Sequence, residues 1–158
     1  MSGRTITVTT QDPAETIALG RCIGSALRGG QVVSLVGPLG SGKTHLVKGV
    51  ARGMGVDDED LVHSPTFVLV HEYPTPGGLL LYHLDAYRLD SAEDLKGIGF
   101  EDLVQPDAVL LIEWADKVAA ALRGLDPIAI TFEHVAETRR RIFISNAPDT
   151  LLEAVRAD

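Results

Sequence analysis

Residues 37–44, GPLGSGKT, decide how the rest of the chain is read. They satisfy the spacing G-x-x-x-x-G-K-[ST]. In that pattern the backbone N–H groups of a glycine-rich loop turn inward around phosphate oxygens, and the lysine reaches the terminal phosphates. The pattern carries weight only between a strand and a helix, and both are legible. Ahead of the loop, residues 32–36 (VVSLV) are nearly unbroken in β-branched and apolar side chains, as in a parallel strand covered on both faces. Behind it, Leu46, Val47, Val50 and Ala51 recur at three- and four-residue spacing from Lys43, and Gly53 and Gly55 close the helix.

Outward from this unit, residues 4–9 (RTITVT) alternate polar and apolar, as a half-buried strand does. Asp12 is placed to cap a helix, Pro13 suits its first position, and Glu15 lies three residues past the cap. Leu19, Cys22, Ile23, Ala26 and Leu27 give that helix a buried face, and Gly29 and Gly30 stop it. Two strand-like runs, TFVLVHEY (66–73) and LLLYHLDAY (79–87), flank PTPGG (74–78) and read as a hairpin. So short a link joins antiparallel strands, so the sheet is mixed.

Ser91 and Asp94 open a short helix reaching Leu103, with breaks at Gly97 and Gly99. AVLLIEW (108–114) is a second buried strand, followed by an alanine-rich helix, ADKVAAALRG (115–124). PIAITFEHV (127–135) and RRRIFISN (139–146) are further strands, and Pro148 opens a last helix. Without repeats or a long linker, the expectation is a single α/β domain of the P-loop NTPase fold over residues 1–158, with a mixed central β-sheet flanked by helices.

Composition bounds the function. Hydrophobic residues are 45% and charged residues 23% of the 158, the balance of an ordinary globular protein. No apolar run approaches the ~18 residues that span a bilayer, and MSGRTITVTT lacks the order of a secretory signal. A lone cysteine, Cys22, offers no internal disulfide and reads as packing. These features imply a cytoplasmic protein with no membrane association. The net charge of −8 opposes direct contact with nucleic acid, so RNA would be reached through a partner. The acidic run at residues 57–60 reads as a solvated loop.

In the loop, Gly37, Pro38, Leu39, Gly40, Ser41 and Gly42 supply backbone to the phosphates. Lys43 neutralises charge on the β and γ phosphates, and the Thr44 hydroxyl takes one place on Mg²⁺. The ion also needs a carboxylate, and Asp85 and Glu113 stand at the ends of apolar strands, where ligands of open α/β sheets collect. Glu113 ends the more apolar run and is assigned to the ion, directly or through water. Three roles stay open for Asp85: holding a Mg²⁺-bound water, orienting the attacking water, or capping the turn before Tyr87. In HSPTF (63–67), Thr66 is the candidate for sensing the γ phosphate, the alternative being a turn shaped by Ser64 and Pro65. Trp114 reads as a core or interface anchor. His45, His63, His71, His83 and His134 lack the spacing of a metal triad and read as solvated or hydrogen-bonded side chains.

The segments ETIALG, GPLGSGKT, SPTF, YHLDAYRL and LLIEW, in this order, resemble the TsaE (YjeE-type) family of P-loop ATPases, required for threonylcarbamoyladenosine at position 37 of tRNA. The resemblance implies ATP or ADP as ligand with Mg²⁺, slow hydrolysis by the isolated protein, and work in a complex with TsaB and TsaD. In that complex TsaD carries out transfer to tRNA, and ATP turnover resets the assembly. It further implies that Lys43 and Thr44 contact nucleotide and ion, and that Thr66 is switch-like. Asp85 and Glu113 become the functional acidic pair, with Trp114 beside Glu113. Thr10 and Thr16 lie toward the adenine, and Arg139, with the arginines that follow it, approaches the nucleotide. Pro38 and Ser41 stand where acidic and alanine residues are common in the family, and neither position supplies a required side chain.

Two other readings compete. A small P-loop kinase acting on a metabolite or nucleotide would need an arginine-bearing lid that keeps water out, and no such lid is legible. A GTP-dependent switch would need N-K-x-D, to which ADKV at residues 115–118 is the nearest approach, without the Asn or the final Asp. No finger-bearing loop is legible either, which fits slow intrinsic turnover and leaves Arg88 or a partner to complete the site.

Overall fold

The computed structural model describes residues 5–38, 40–57 and 70–156. Seven strands form one sheet: β1 (Thr5–Thr10), β2 (Val32–Val36), β3 (Val70–Pro74), β4 (Leu80–Asp85), β5 (Ala108–Glu113), β6 (Ile128–His134) and β7 (Arg140–Ser145). Their spatial order is β1-β7-β6-β2-β5-β4-β3. β4, β5, β2 and β6 are mutually parallel, while β3 pairs antiparallel with β4, and β7 antiparallel with both β6 and β1. The hairpin around residues 74–78 is present, closed by Thr75 donating through N and Oγ1 to the Leu79 carbonyl at 3.0 and 2.7 Å.

Alternation explains why β2 and β5 read as continuous apolar runs. Val33, Leu35, Val109 and Leu111 enter one core layer, and Val32, Ala108, Leu110 and Ile112 enter the other. The first layer lies under α1 (Pro13–Ala26), α2 (Lys43–Gly53) and α4 (Asp149–Arg156), and Cys22 packs at its margin. The second lies under the segment from Ala92 to Leu103 and under the turns that follow β5.

α1 begins as its sequence predicts. Asp12 Oδ1 accepts from Glu15 N at 2.9 Å, and Glu15 Oε1 accepts from Gln11 N at 2.7 Å. The helix expected from Ser91 to Leu103 is instead two 3₁₀ segments, Ala92–Ile98 and Phe100–Leu103, separated by Gly99 at φ 73°. The alanine-rich helix is likewise reduced to a 3₁₀ turn, Ala115–Val118, and one α-turn, α3 (Ala119–Leu122). In both places tertiary packing overrides propensity. Leu95, Phe100, Leu103, Val118 and Leu122 are all buried in one apolar layer, and the tight turns bring each of them into it.

The feature that sequence reading missed is the seam between α1 and α2. Gly20 and Gly24 on α1, and Gly49 and Gly53 on α2, face the opposing backbone. A Cβ at Gly49 would stand 2.1 Å from the Ile17 carbonyl oxygen, and one at Gly24 would stand 2.2 Å from that of Val50. The signal was present as two G-x-x-x-G spacings, each putting two glycines on one helical face. Gly49→Ala is expected to destabilise the fold by ~1–3 kcal/mol in urea denaturation, because backbone cannot yield as a side chain does. Gly77→Ala, whose Cβ meets nothing within 4 Å, serves as the neutral control.

Candidate phosphate-binding site

β2 delivers the glycine loop to the first turn of α2. Gly40 and Gly42 adopt φ of 77° and 103°, conformations open to glycine at little cost. Gly42 is the N-cap of α2 without a side-chain cap, and no acidic residue occupies the first turn. The free N–H groups and the positive end of the helix dipole therefore face the loop, an arrangement suited to an anion. Gly37 is confined as well: a Cβ there would stand 2.8 Å from Ser41 Oγ and from the Phe132 Cβ.

Lys43 is buried at 4% exposure and folds back over the loop. Its ammonium donates to the carbonyls of Gly37 at 2.5 Å and Pro38 at 2.9 Å, and to Ser41 Oγ at 3.4 Å. It also sits 3.9 Å from the centroid of the Trp114 ring. Burial lowers the pKa of this lysine, opposed by the nearby charges of Glu113, Asp116 and Asp85. Trp114 is half-buried, packs against the second core layer and lays its ring beside the lysine. It holds φ 59°, which for a bulky side chain costs ~1–2 kcal/mol, and its ring meets that of Tyr87 at 4.9 Å, tilted by 54°. Lys117 donates to the Tyr87 carbonyl at 2.5 Å and lies over its ring.

Asp85 and Glu113 are register partners at the ends of β4 and β5. Asp85 Oδ1 accepts from Tyr87 N at 3.0 Å, the turn-capping role, and its second oxygen is left to other work. Glu113 is buried, and its Oε2 lies 2.6 Å from His83 Nε2. Sequence reading allowed His83 a hydrogen bond without finding this partner. The signal was the period-two spacing that sets His83 and Asp85 on one face of β4. Thr44 is exposed in the first turn of α2. Among the described residues no cluster of His, Cys, Asp or Glu is arranged as a metal cage. Thr44, Glu113 and nucleotide oxygens suit Mg²⁺, which takes few protein ligands. Leu39 and the segment containing Thr66 lie outside the described residues.

On the opposite flank, Thr10 and Thr16 are buried and share a hydrogen bond of 2.8 Å, and Thr16 lies beside Gly42. Arg139 is turned aside, donating to Gln11 Oε1 at 2.9 Å. Its neighbour Arg140 is the member of the triplet that reaches the loop, donating to the Gly40 carbonyl at 3.0 Å and to the carbonyls of Ala136, Glu137 and Arg139. Arg139 precedes β7, whereas Arg140 is its first residue, in register with Thr10 and His134.

A mixed α/β sheet with a glycine loop between β2 and α2, and strand-end acids across from its lysine, defines a P-loop nucleotide-binding protein of the NTPase fold. The family model for "Threonylcarbamoyl adenosine biosynthesis protein TsaE" matches residues 10–142, and the chain belongs to that family. The tRNA threonylcarbamoyladenosine biosynthesis protein TsaE of Treponema pallidum is 40% identical over 131 residues, covering 83% of this chain and 93% of the relative. That of Bacillus subtilis is 40% identical over 134 residues, covering 84% and 80%. The crystal structure of Bacillus subtilis YdiB superposes with a TM-score of 0.76 and 26% identity, covering 99% of this chain and 97% of that one. Membership places the chain in tRNA threonylcarbamoyladenosine biosynthesis, among P-loop proteins of ATPase type.

His71 pairs with His83 across β3 and β4, with ring centroids 6.0 Å apart. Burial, then His83, lowers the His71 pKa below 6.5, against the opposing pull of Asp85. On acidification the unfolded chain therefore takes up this proton first, and stability falls as pH drops through the ordinary histidine range toward the folded-state pKa. His71→Phe should flatten the slope of unfolding free energy between about pH 7 and 5, measured by urea denaturation across that window.

Proposed function

We propose that this chain is the accessory ATPase of the threonylcarbamoyladenosine machinery. It binds Mg-ATP, hydrolyses it to ADP and phosphate, and thereby cycles a complex of TsaB and TsaD. The observation that carries the reading is the caged lysine: a buried cation held over an uncapped helix N-terminus, with Glu113 and Asp85 across from it. Phosphate oxygens replace the loop carbonyls around Lys43, and the N–H groups of Gly40, Gly42, Lys43 and Thr44 receive the remaining charge. Thr44 and Glu113 would hold Mg²⁺, which supplies charge neutralisation between the β and γ phosphates. Asp85, pinned by Tyr87 N, offers its other oxygen to a water. Thr66 senses the γ phosphate, and Thr10, Thr16 and Arg140, one of the arginines at 139–141 expected there from sequence, border the base side.

Two further features support an accessory role. The net charge of −8 favours contact with tRNA through TsaB and TsaD and not directly. No helix among the described residues is long and apolar enough to cross a membrane, in keeping with a single cytoplasmic ATPase domain over residues 1–158.

The deciding experiment measures ATP hydrolysis with and without purified TsaB and TsaD from the same cell. Stimulation is expected. Label from the γ position appearing on an organic acceptor, with no partner effect, would overturn the reading in favour of a small P-loop kinase. Lys43→Ala should abolish the thermal shift given by ADP. Glu113→Ala should retain ADP binding while lowering Mg²⁺-dependent kcat by ~10²-fold or more. Thr66→Ala should narrow the ratio of ATP to ADP affinities in calorimetric titration.

A further inference from the structure

A buried carboxylate at a strand end needs a donor, and its direct cross-strand neighbour here cannot serve. Glu113 stands in register with Asp85, a like charge whose Oδ1 is already taken by Tyr87 N. The donor comes diagonally. His83, in register with Leu111, reaches across the β4–β5 pair and places Nε2 at 2.6 Å from Glu113 Oε2, with the two side chains only 14% and 6% exposed. A glutamate has three side-chain torsions, and a loose carboxylate would offer either oxygen over a wide arc. One short bond to a ring fixed on a parallel strand removes most of that freedom. The ring is itself backed by His71, on the neighbouring strand β3.

We propose that His83 is a positioning residue for Glu113. Its Nε2–H holds Oε2 and so leaves Oε1 as the oxygen presented to the ion or to an ion-bound water. This rests on the assignment of Glu113 above and adds to it the residue that sets the carboxylate's orientation. With Nε2 engaged by Glu113, His83 acts on the ion through that carboxylate and not as a ligand itself. Its influence therefore belongs to the magnesium-dependent part of binding and turnover alone.

The test compares His83→Ala, His83→Gln and Glu113→Ala in the full chain. ADP affinity is measured by calorimetry in EDTA and in Mg²⁺, and kcat and KM are measured for Mg-ATP. For His83→Ala, affinity in EDTA should stay within about twofold of the parent, while the gain in affinity on adding Mg²⁺ and kcat each fall ~10–100-fold, with KM little changed. His83→Gln, whose amide nitrogen can occupy the place of Nε2, should recover most of both losses. An unaltered magnesium effect and kcat in His83→Ala, alongside their loss in Glu113→Ala, would overturn the inference and leave the function standing. An equal loss of affinity in EDTA would overturn it too, by showing general damage to the site. Normal behaviour of Glu113→Ala would instead remove the underlying assignment. Should His83→Ala not fold, His83→Asn, polar but too short to reach Glu113, takes its place against His83→Gln.

Discussion

The phosphate site depends on how closely two helices approach. α2 begins in the glycine loop, so any displacement of α2 moves the N–H groups that would receive phosphate. Four glycines let its backbone rest directly on that of α1, with carbonyls where side chains would otherwise stand. Packed backbone has few alternative arrangements, and α1 is held in turn by α4 and by the shared apolar layer. The seam also brings Thr16 against Gly42, so the flank of the loop that carries Thr10 and Thr16 is assembled by the same contact.

Lys43 gives this frame a resting state. A buried ammonium without acceptors would be costly, and the loop meets that need with its own carbonyls and with an aromatic face. On the proposed function, ligand entry is an exchange of one set of oxygens for another around a cation already in place. Such an exchange needs little reorganisation of the backbone, and it sets the phosphate in competition with the protein itself. Trp114 retains an unfavourable backbone conformation in this arrangement, as residues at functional positions often do.

Much of this was legible in residues. The strand–loop–helix order around residues 37–44, the hairpin at 74–78, the mixed sheet and the cap at Asp12 all follow from local chemistry, and the structure agrees with each. Glu113 at the end of a buried strand was legible for the same reason. What local pattern could not supply was contact between distant segments. That Arg140, of the three arginines, donates to the loop depends on how β7 pairs with β6 and β1. The bond between His83 and Glu113 joins residues thirty apart through sheet register. The two shortened helices failed as predictions because capping and alanine content describe a helix in isolation, while these segments are held by the apolar layer they pack against. The glycine seam was visible as spacing, but its meaning required knowing that α1 and α2 are neighbours.

The contact between Lys43 and Trp114 has an optical consequence. The chain holds a single tryptophan, so its near-ultraviolet emission comes from one indole, and a cation 3.9 Å from that ring perturbs its excited state. Whatever draws the ammonium away changes the colour or the yield of that light. On the proposed function the protein carries its own fluorophore beside the lysine that would meet phosphate, and no dye need be attached to watch the pocket fill.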